Sequence, residues 1–97
     1  MAERITVLNP MGQPPQTDRL GMAPRLDSLE GRTVYLVDCR FDDGDILMRQ
    51  MGEWFNEHRP GTTVEVRRKS NVYLTRDDEL YEEIRQKGDA AVFGVGH

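Results

Sequence analysis

The sequence contains one cysteine, Cys39, among its 97 residues. A single cysteine excludes a disulfide within the chain and any zinc site built from several of its own cysteines. We also expect no cofactor or metal ion bound by this chain alone. A lone, unpaired cysteine also favours a reducing, cytoplasmic setting.

Long apolar runs are absent as well. No segment approaches the ~20 consecutive apolar residues of a membrane span. The N-terminal residues 1–4, MAER, do not begin a basic region followed by an apolar stretch, as a secretory signal would. We therefore expect no contact with a membrane.

An excess of basic residues is also missing. Lys and Arg number 13 against 17 Asp and Glu, a net charge of −4, so nucleic acid is not an expected partner. The one basic run, Arg67-Arg68-Lys69, is more typical of a solvated strand end than of a phosphate contact. The length allows one small domain, and the hydrophobic content of 37% supports a modest core.

Residues 1–31 are predicted to form an irregular arm with a short strand at residues 5–8. Glycine and proline interrupt the rest of this segment, and a loop of more than about 15 residues is unusual inside a compact domain. We therefore expect the arm to lie across another surface. Its apolar residues are Met11, Leu20, Met22, Ala23 and Leu26.

Residues 32–97 are predicted to form an α/β half-domain in the order β-α-β-α-β. Apolar and β-branched runs predict strands at residues 33–37, 62–67 and 90–95, the first and last of them buried and the middle one near a sheet edge. One helix spans residues 45–58, with its apolar face at Leu47, Met51, Trp54 and Phe55. The other begins at a capping box from Thr75 to Asp78 and ends at Gly88.

Right-handed connections make this order half of a doubly wound parallel sheet of the Rossmann or flavodoxin-like type, with strand 33–37 central. Ligands of such sheets bind beyond the carboxyl ends of the strands. Two of those ends carry unusual residues, at positions 38–45 and 94–97. We predict Cys39 and His97 as catalytic residues there, and as substrate-binding residues Asp38, Arg40, Gly94 and Gly96.

The proposed roles follow from the side chains, and alternatives remain open for each group. A thiol beside Arg40 could be a nucleophile or redox partner, although a lone cysteine is usually a small buried side chain. The guanidinium of Arg40 would hold substrate charge, and the imidazole of His97 would act in acid–base chemistry or stabilise a thiolate.

The acidic and glycine-rich motifs are less specific. The cluster Asp38, Asp42, Asp43 and Asp45 could bind Mg²⁺, although capping of the following helix is the simpler explanation for the last three. Gly94-x-Gly96 lacks the third glycine and the following helix of a dinucleotide fingerprint.

Several stretches resemble the family of (seleno)proteins named for its UGSC motif. They are LNP at residues 8–10, APRLDSLEGRT at 23–33, the strand end at 37–38 and GDAAVFGVG at 88–96. The resemblance covers nearly the whole chain, and residues 23–33 and 94–96 are its most specific parts. Residues 39–45 depart from the Asn- and Lys-containing turn of many members, which indicates a subgroup.

In that family, GVG and one further residue, often Asp and here His97, precede a cysteine or selenocysteine with a second cysteine nearby. The motif is similar to that of the selenoprotein B components of glycine, sarcosine, betaine and proline reductases, which form a covalent selenoether with substrate. The resemblance implies that this chain is the N-terminal half or small subunit of a thiol- or selenol-dependent enzyme. It would act on a small molecule by redox chemistry or covalent addition–elimination.

The reactive residue would come from sequence after His97, which a UGA codon read as a stop would omit, or from a partner chain that completes the sheet. We expect an oligomer in either case. Two other functions remain open at this point. One is a non-catalytic flavodoxin-like interaction module, and the other is a carboxylate-lined Mg²⁺-binding domain.

Overall fold

The computed structural model describes residues 3–72 and 76–96, and regular structure within them begins at Thr33. The strands are β1 (Thr33–Asp38), β2 (Thr63–Arg68) and β3 (Ala90–Gly94). The helices are α1 (Gly44–His58) and α2 (Asp78–Lys87). The predicted α/β fold and the β-α-β-α-β order are confirmed.

The three strands form one parallel sheet in the order β2-β1-β3, so β1 is central as predicted. Alternate side chains of β1 point to opposite faces. Val34 and Leu36 pack with α1, whereas Tyr35 and Val37 pack with α2. The core therefore consists of two thin layers, one on each face of β1.

The two outer strands differ from each other and, in one case, from the prediction. Strand β2 is a partly exposed edge strand, as its alternating pattern predicts. The prediction that β3 is buried is wrong, because Val92 and Phe93 are exposed. In the described part of the chain no strand pairs with the outer edge of β3, and α1 lies mainly over β1 and β2.

The predicted buried face of α1 is also wrong in part. Leu47 and Trp54 are exposed, and the buried residues are Gly44, Met48 and Gly52. A Cβ added at Gly52 would already lie 3.5 Å from a methyl group of β2. Gly44 and Gly52 let the helix approach the sheet closely. The side of the helix that faces the sheet is therefore the one with the glycines, and Leu47 and Trp54 lie to one side of it.

Capping of α1 differs from the prediction too. Asp43 is the N-cap residue, but its side chain makes no capping hydrogen bond. Its backbone is left-handed, with φ of 58°, rather than in the extended geometry from which an N-cap side chain reaches the first N–H groups. Helix α2 ends before Gly88 as predicted, and Thr75 of the predicted capping box lies outside the described residues.

Residues 3–28 are exposed and contain no helix or strand. The predicted short strand at residues 5–8 is therefore not formed, because no strand lies beside it to take its hydrogen bonds. The arm gives the chain a longest dimension of 76 Å and a radius of gyration of 20.2 Å. A compact chain of this length has a radius of gyration of about 12–13 Å.

The described residues include no helix that is both long enough and apolar enough to cross a membrane.

Candidate functional site

The carboxyl ends of β1 and β3 are joined directly. Asp38 is in register with Gly94, and the Cys39 N–H donates to the Gly94 carbonyl oxygen over 2.9 Å. After β1 the chain continues through α1 to β2 on one side of β1, whereas β3 pairs with the other side. The loop that follows β1 and the chain that follows β3 therefore leave the sheet in opposite directions. Such a divergence is where open α/β sheets bind ligands.

Asp38 is the most buried polar residue of this edge, with 2% of its surface exposed. Its Oδ1 accepts a hydrogen bond of 2.8 Å from the Arg40 N–H. The exposed Arg68 brings its Nε within 3.1 Å of Oδ2, but no hydrogen bond forms between them. No other donor reaches Oδ2 from the described residues 3–72 and 76–96. The carboxylate is thus paired in charge but retains an unused acceptor position.

Gly44 opens α1 against this carboxylate. A Cβ at position 44 would lie 2.7 Å from Asp38 Oδ1 and 3.6 Å from the Gly94 carbonyl oxygen. Only glycine lets the helix start so close to both strand ends. In nucleotide-binding sheets a phosphate lies at the start of the helix after the first strand. Here the carboxylate of Asp38 lies beside that helix start, which disfavours a phosphate ligand.

Arg40 is directed towards β2 rather than β3. Its guanidinium donates to the carbonyl oxygens of Lys69 at 3.3 Å and Ser70 at 3.1 Å. Its backbone is left-handed, with φ of 69°. The predicted contact of Arg40 with substrate charge stays a prediction, and one of its two terminal nitrogens is already used by the protein.

The remaining predicted site residues lie at the end of β1 or on the β3 side. Cys39 is half-buried and is held next to β3 by its backbone hydrogen bond. A Cβ at Gly94 would lie 2.9 Å from Met48 Cε, whereas Gly96 faces open space. The Gly94–Val95 peptide bond is cis. His97 lies outside the described residues.

The acidic residues of the β1–α1 loop do not converge. Asp42, Asp43 and Asp45 are exposed, and Asp38 is buried against Arg68. Among residues 3–72 and 76–96, no three His, Cys, Asp or Glu side chains are grouped so that they could hold a metal ion. The geometry of the described loop therefore offers no support for a carboxylate-lined Mg²⁺ site.

Sequence analysis missed two residues of this site, Gly44 and Arg68. Arg68 was grouped with the solvated basic run, yet it is in register with Asp38 across the parallel β1–β2 pair. The alignment of the two strand ends would have indicated this ion pair. Gly44 carries a weaker signal, a glycine among acids just before an amphipathic helix.

A second polar network lies away from this edge, between β1, β2 and α2. Arg67 pairs with Glu83 at 3.0 Å and with Glu65 at 3.2 Å. The hydrogen bond from the Tyr35 hydroxyl, supported by the charge of Arg67, lowers the pKa of Glu83. Burial, supported by Glu83, raises the pKa of Tyr35. These contacts fasten α2 to the sheet.

The described residues also form surface depressions elsewhere, among them one along α2 and one in the arm at residues 14–19. Both are open to solvent, and the first is lined mostly by carboxylates of a single helix. Neither brings together groups from several elements. The carboxyl edge does so, and it is therefore the stronger candidate.

A comparison with models of protein families identifies a match over most of the chain. The model of the UGSC family matches residues 6–97, which covers the arm from residue 6 onwards and the whole sheet. No curated protein and no solved structure matches the chain significantly.

Proposed function

The chain belongs to the UGSC family, and on that premise we propose that it is the N-terminal half or a small subunit of a thiol- or selenol-dependent enzyme. The enzyme acts on a small molecule by redox chemistry or by covalent addition–elimination. A cysteine or selenocysteine after His97, or on a partner chain, carries the reaction. The setting that suits such a group is reducing and cytoplasmic.

One observation carries this proposal: the carboxyl ends of β1 and β3 are joined by a backbone hydrogen bond beside the buried carboxylate of Asp38. The hydrogen bond from Cys39 to Gly94 fixes where the backbone leaves β3. A reactive residue that follows His97 would therefore lie close to the point where the two loops diverge. Asp38 lies there with an unused acceptor position, which suits a thiol, selenol or substrate N–H donor.

The other predicted residues have supporting roles in this proposal. Cys39 is a candidate redox partner of the reactive residue, and His97 a candidate acid, base or stabiliser of its anion. Gly96 leaves open space for a substrate, since no atom lies within 4 Å of the position of its missing Cβ. Arg40 would contribute a charge-assisted hydrogen bond from the β2 side.

The outer edge of β3 supports the involvement of a further segment. Its backbone has no partner strand among the described residues, and Val92 and Phe93 are exposed on opposite faces. Unpaired, apolar edge strands readily accept another strand. A strand of the continuation or of a partner chain would extend the sheet here and bring the reactive residue with it.

The proposal is tested by finding the reactive residue. The chain together with its continuation or partner is treated with limiting iodoacetamide near neutral pH, and alkylated residues are mapped by mass spectrometry. We expect the fastest alkylation at a cysteine or selenocysteine outside residues 1–97, and we expect it to persist in the Cys39→Ser variant. Alkylation confined to Cys39 would overturn the proposal.

The nucleotide sequence after the codon for His97 separates the two sources of that residue. A UGA codon followed by a cysteine-encoding frame supports recoding, and a separate neighbouring frame supports a partner chain. A different stop codon with no such frame downstream contradicts both.

A non-catalytic interaction module is the second candidate, and the exposed β3 edge is the observation that favours it. The two functions differ in the alkylation experiment. An interaction module would pair with its partner through β3 and show no hyper-reactive thiol or selenol in the complex.

A further inference from the structure

The two edges of the sheet differ in how well they are protected against pairing with another chain. The β2 edge carries Glu65, Arg67 and Arg68, and charged side chains of this kind keep edge strands apart. β3 contains no charged residue and no proline between Ala90 and Gly94, and among the described residues no strand pairs with its outer edge. A second uncharged strand would therefore meet no repulsion at β3, whereas it would meet charges at β2.

The backbone groups that β3 directs outwards are those of Ala91 and Phe93. The Gly94 carbonyl oxygen accepts from the Cys39 N–H, so the backbone groups of Gly94 point towards β1. Along a strand, the backbone groups of successive residues point to alternate edges. Val92 is therefore directed inwards like Gly94, and the residues on either side of Val92 offer the unpaired N–H and C=O groups of this edge.

This edge is complementary to itself about Val92. When two copies of β3 run antiparallel with Val92 opposite Val92, Ala91 of each copy lies opposite Phe93 of the other, and these two residues exchange hydrogen bonds. A small side chain then lies beside a large one on the α2 side, where Phe93 is 47% exposed and contacts Tyr81. The two Val92 side chains meet on the α1 side as a closely spaced pair. Backbone pairing and side-chain volume thus agree on one register.

We propose that β3 pairs with β3 of a second copy across a two-fold axis at Val92 when no other segment occupies this edge. The contact closes at two copies, because each β3 edge is used once and the β2 edges that remain are charged. The proposal does not depend on the chemistry of the proposed function, but it uses the same edge. A segment that brings the reactive residue to β3 would therefore displace the second copy.

Light scattering over a range of protein concentrations measures this association. β3 contributes only five residues from each copy, so the interface belongs to the weak, transient class. We expect the mass to rise from 11.2 kDa at about 1 μM towards twice that value at about 1 mM, without larger species. A monomeric mass throughout would overturn the proposal, and so would growth beyond the dimer, which would require more than one associating surface.

Two lysine substitutions of the full chain locate the contact. Val92→Lys places two lysines opposite each other at the axis, where like charges are destabilising. Val66→Lys is the matched control, because Val66 and Val92 are both in register with Leu36, on either side of β1, and are 44% and 39% exposed. We expect Val92→Lys to be monomeric at every concentration and the control to dimerise like the parent. A dimer that survives Val92→Lys, or equal dissociation of both folded variants, would place the contact elsewhere and overturn the proposal.

Cysteine cross-linking tests the register without a destabilising charge. In a chain with Cys39→Ser, the further substitution Val92→Cys places two thiols opposite each other, within the Cα separation of about 4.4–6.8 Å that a disulfide requires. Ala91→Cys in the same chain is the control, because the two copies of residue 91 lie on opposite sides of the axis, about 7 Å apart along the strands alone. We expect air oxidation at about 1 mM protein to give a covalent dimer with Val92→Cys and far less with Ala91→Cys, as measured by mass spectrometry. Equal cross-linking of the two variants, or none with Val92→Cys, would contradict the antiparallel pairing about Val92.

Discussion

Asp38 combines two features that rarely occur together: it is almost fully buried, and one of its oxygens accepts no hydrogen bond from the part of the chain that the structure describes. Its charge is balanced by Arg68, which remains exposed. A buried carboxylate without a counter-ion is strongly destabilising, whereas an exposed guanidinium without one is simply hydrated. Arg68 therefore contributes more to the stability of this edge than is usual for a side chain as exposed as Arg68.

We predict that Arg68→Met lowers the free energy of unfolding by about 1–3 kcal/mol, because Asp38 stays buried without its counter-ion. Urea denaturation followed by circular dichroism measures the change. Arg85→Met is the control, since Arg85 is exposed and pairs with an exposed Glu82. We expect the control to stay within about 0.5 kcal/mol of the parent, and equal effects of the two substitutions would contradict this account of Asp38.

The two buried glycines of α1 allow a second matched test. Gly52→Ala is expected to raise the free energy of unfolding by about 0.5–1 kcal/mol, because alanine favours helix and its Cβ meets β2 at an ordinary 3.5 Å. Gly44→Ala is expected to lower it by about 1–3 kcal/mol, because the Cβ would lie 2.7 Å from Asp38 Oδ1. Urea denaturation of both variants decides the question, and a stabilising Gly44→Ala would refute the close approach of α1 to Asp38.

At the scale of the elements, we expect the attachment of α2 to the sheet to depend on pH. The folded state lowers the pKa of Glu83, chiefly through the Tyr35 hydrogen bond, so Glu83 stabilises the fold above its unfolded pKa near 4.5. That contribution is lost as pH falls through the folded pKa. We expect the free energy of unfolding of Glu83→Gln to fall less steeply than that of the parent as the pH is lowered. Glu82→Gln, which removes the same charge, is the control and should keep the slope of the parent. An unchanged acid slope in Glu83→Gln would contradict this assignment.

The same network limits stability at high pH. Burial raises the pKa of Tyr35, so the folded state favours the neutral phenol. Stability from this residue is complete below pH 10 and declines as pH rises through the raised pKa. Tyr35→Phe should remove this decline at high pH. Thermal unfolding measured at several pH values above 9 would then show a melting temperature that falls less steeply with pH than in the parent. A decline as steep as in the parent would assign the effect to other residues.

The order of the elements was predictable because it depends on local pattern: β-branched runs for strands, apolar spacing for helices and glycine or proline at their ends. The central place of β1 followed from its near-continuous apolar run. The face of α1 was not predictable, since the spacing of Leu47 and Trp54 says nothing of two glycines that bring the helix closer to the sheet. The Asp38–Arg68 pair depends on the register between β1 and β2, which brings together residues 30 positions apart in the sequence. Composition alone could not indicate it.

The whole molecule consists of a small folded unit and an exposed arm, and limited proteolysis should separate them. We expect trypsin to cut the protein first after Arg4, Arg19 and Arg25, leaving residues 26–97 intact, because residues 3–28 form no helix or strand and are exposed. Mass spectrometry of the fragments identifies the cuts. Early cleavage after Arg49, which lies within α1, would contradict this division.

The strand order β2-β1-β3 also has a consequence for how the chain acquires its structure during synthesis. Of the three strands, β1 is made first and its neighbour β3 is made last. The Thr33 N–H likewise donates to the side chain of Asp89, which is 56 positions later in the sequence. Contacts between residues so far apart in sequence form slowly and only after the intervening chain exists. While it is being translated, β1 therefore has one open side until β3 has left the ribosome. We expect its apolar run to be prone to association with other chains during that interval.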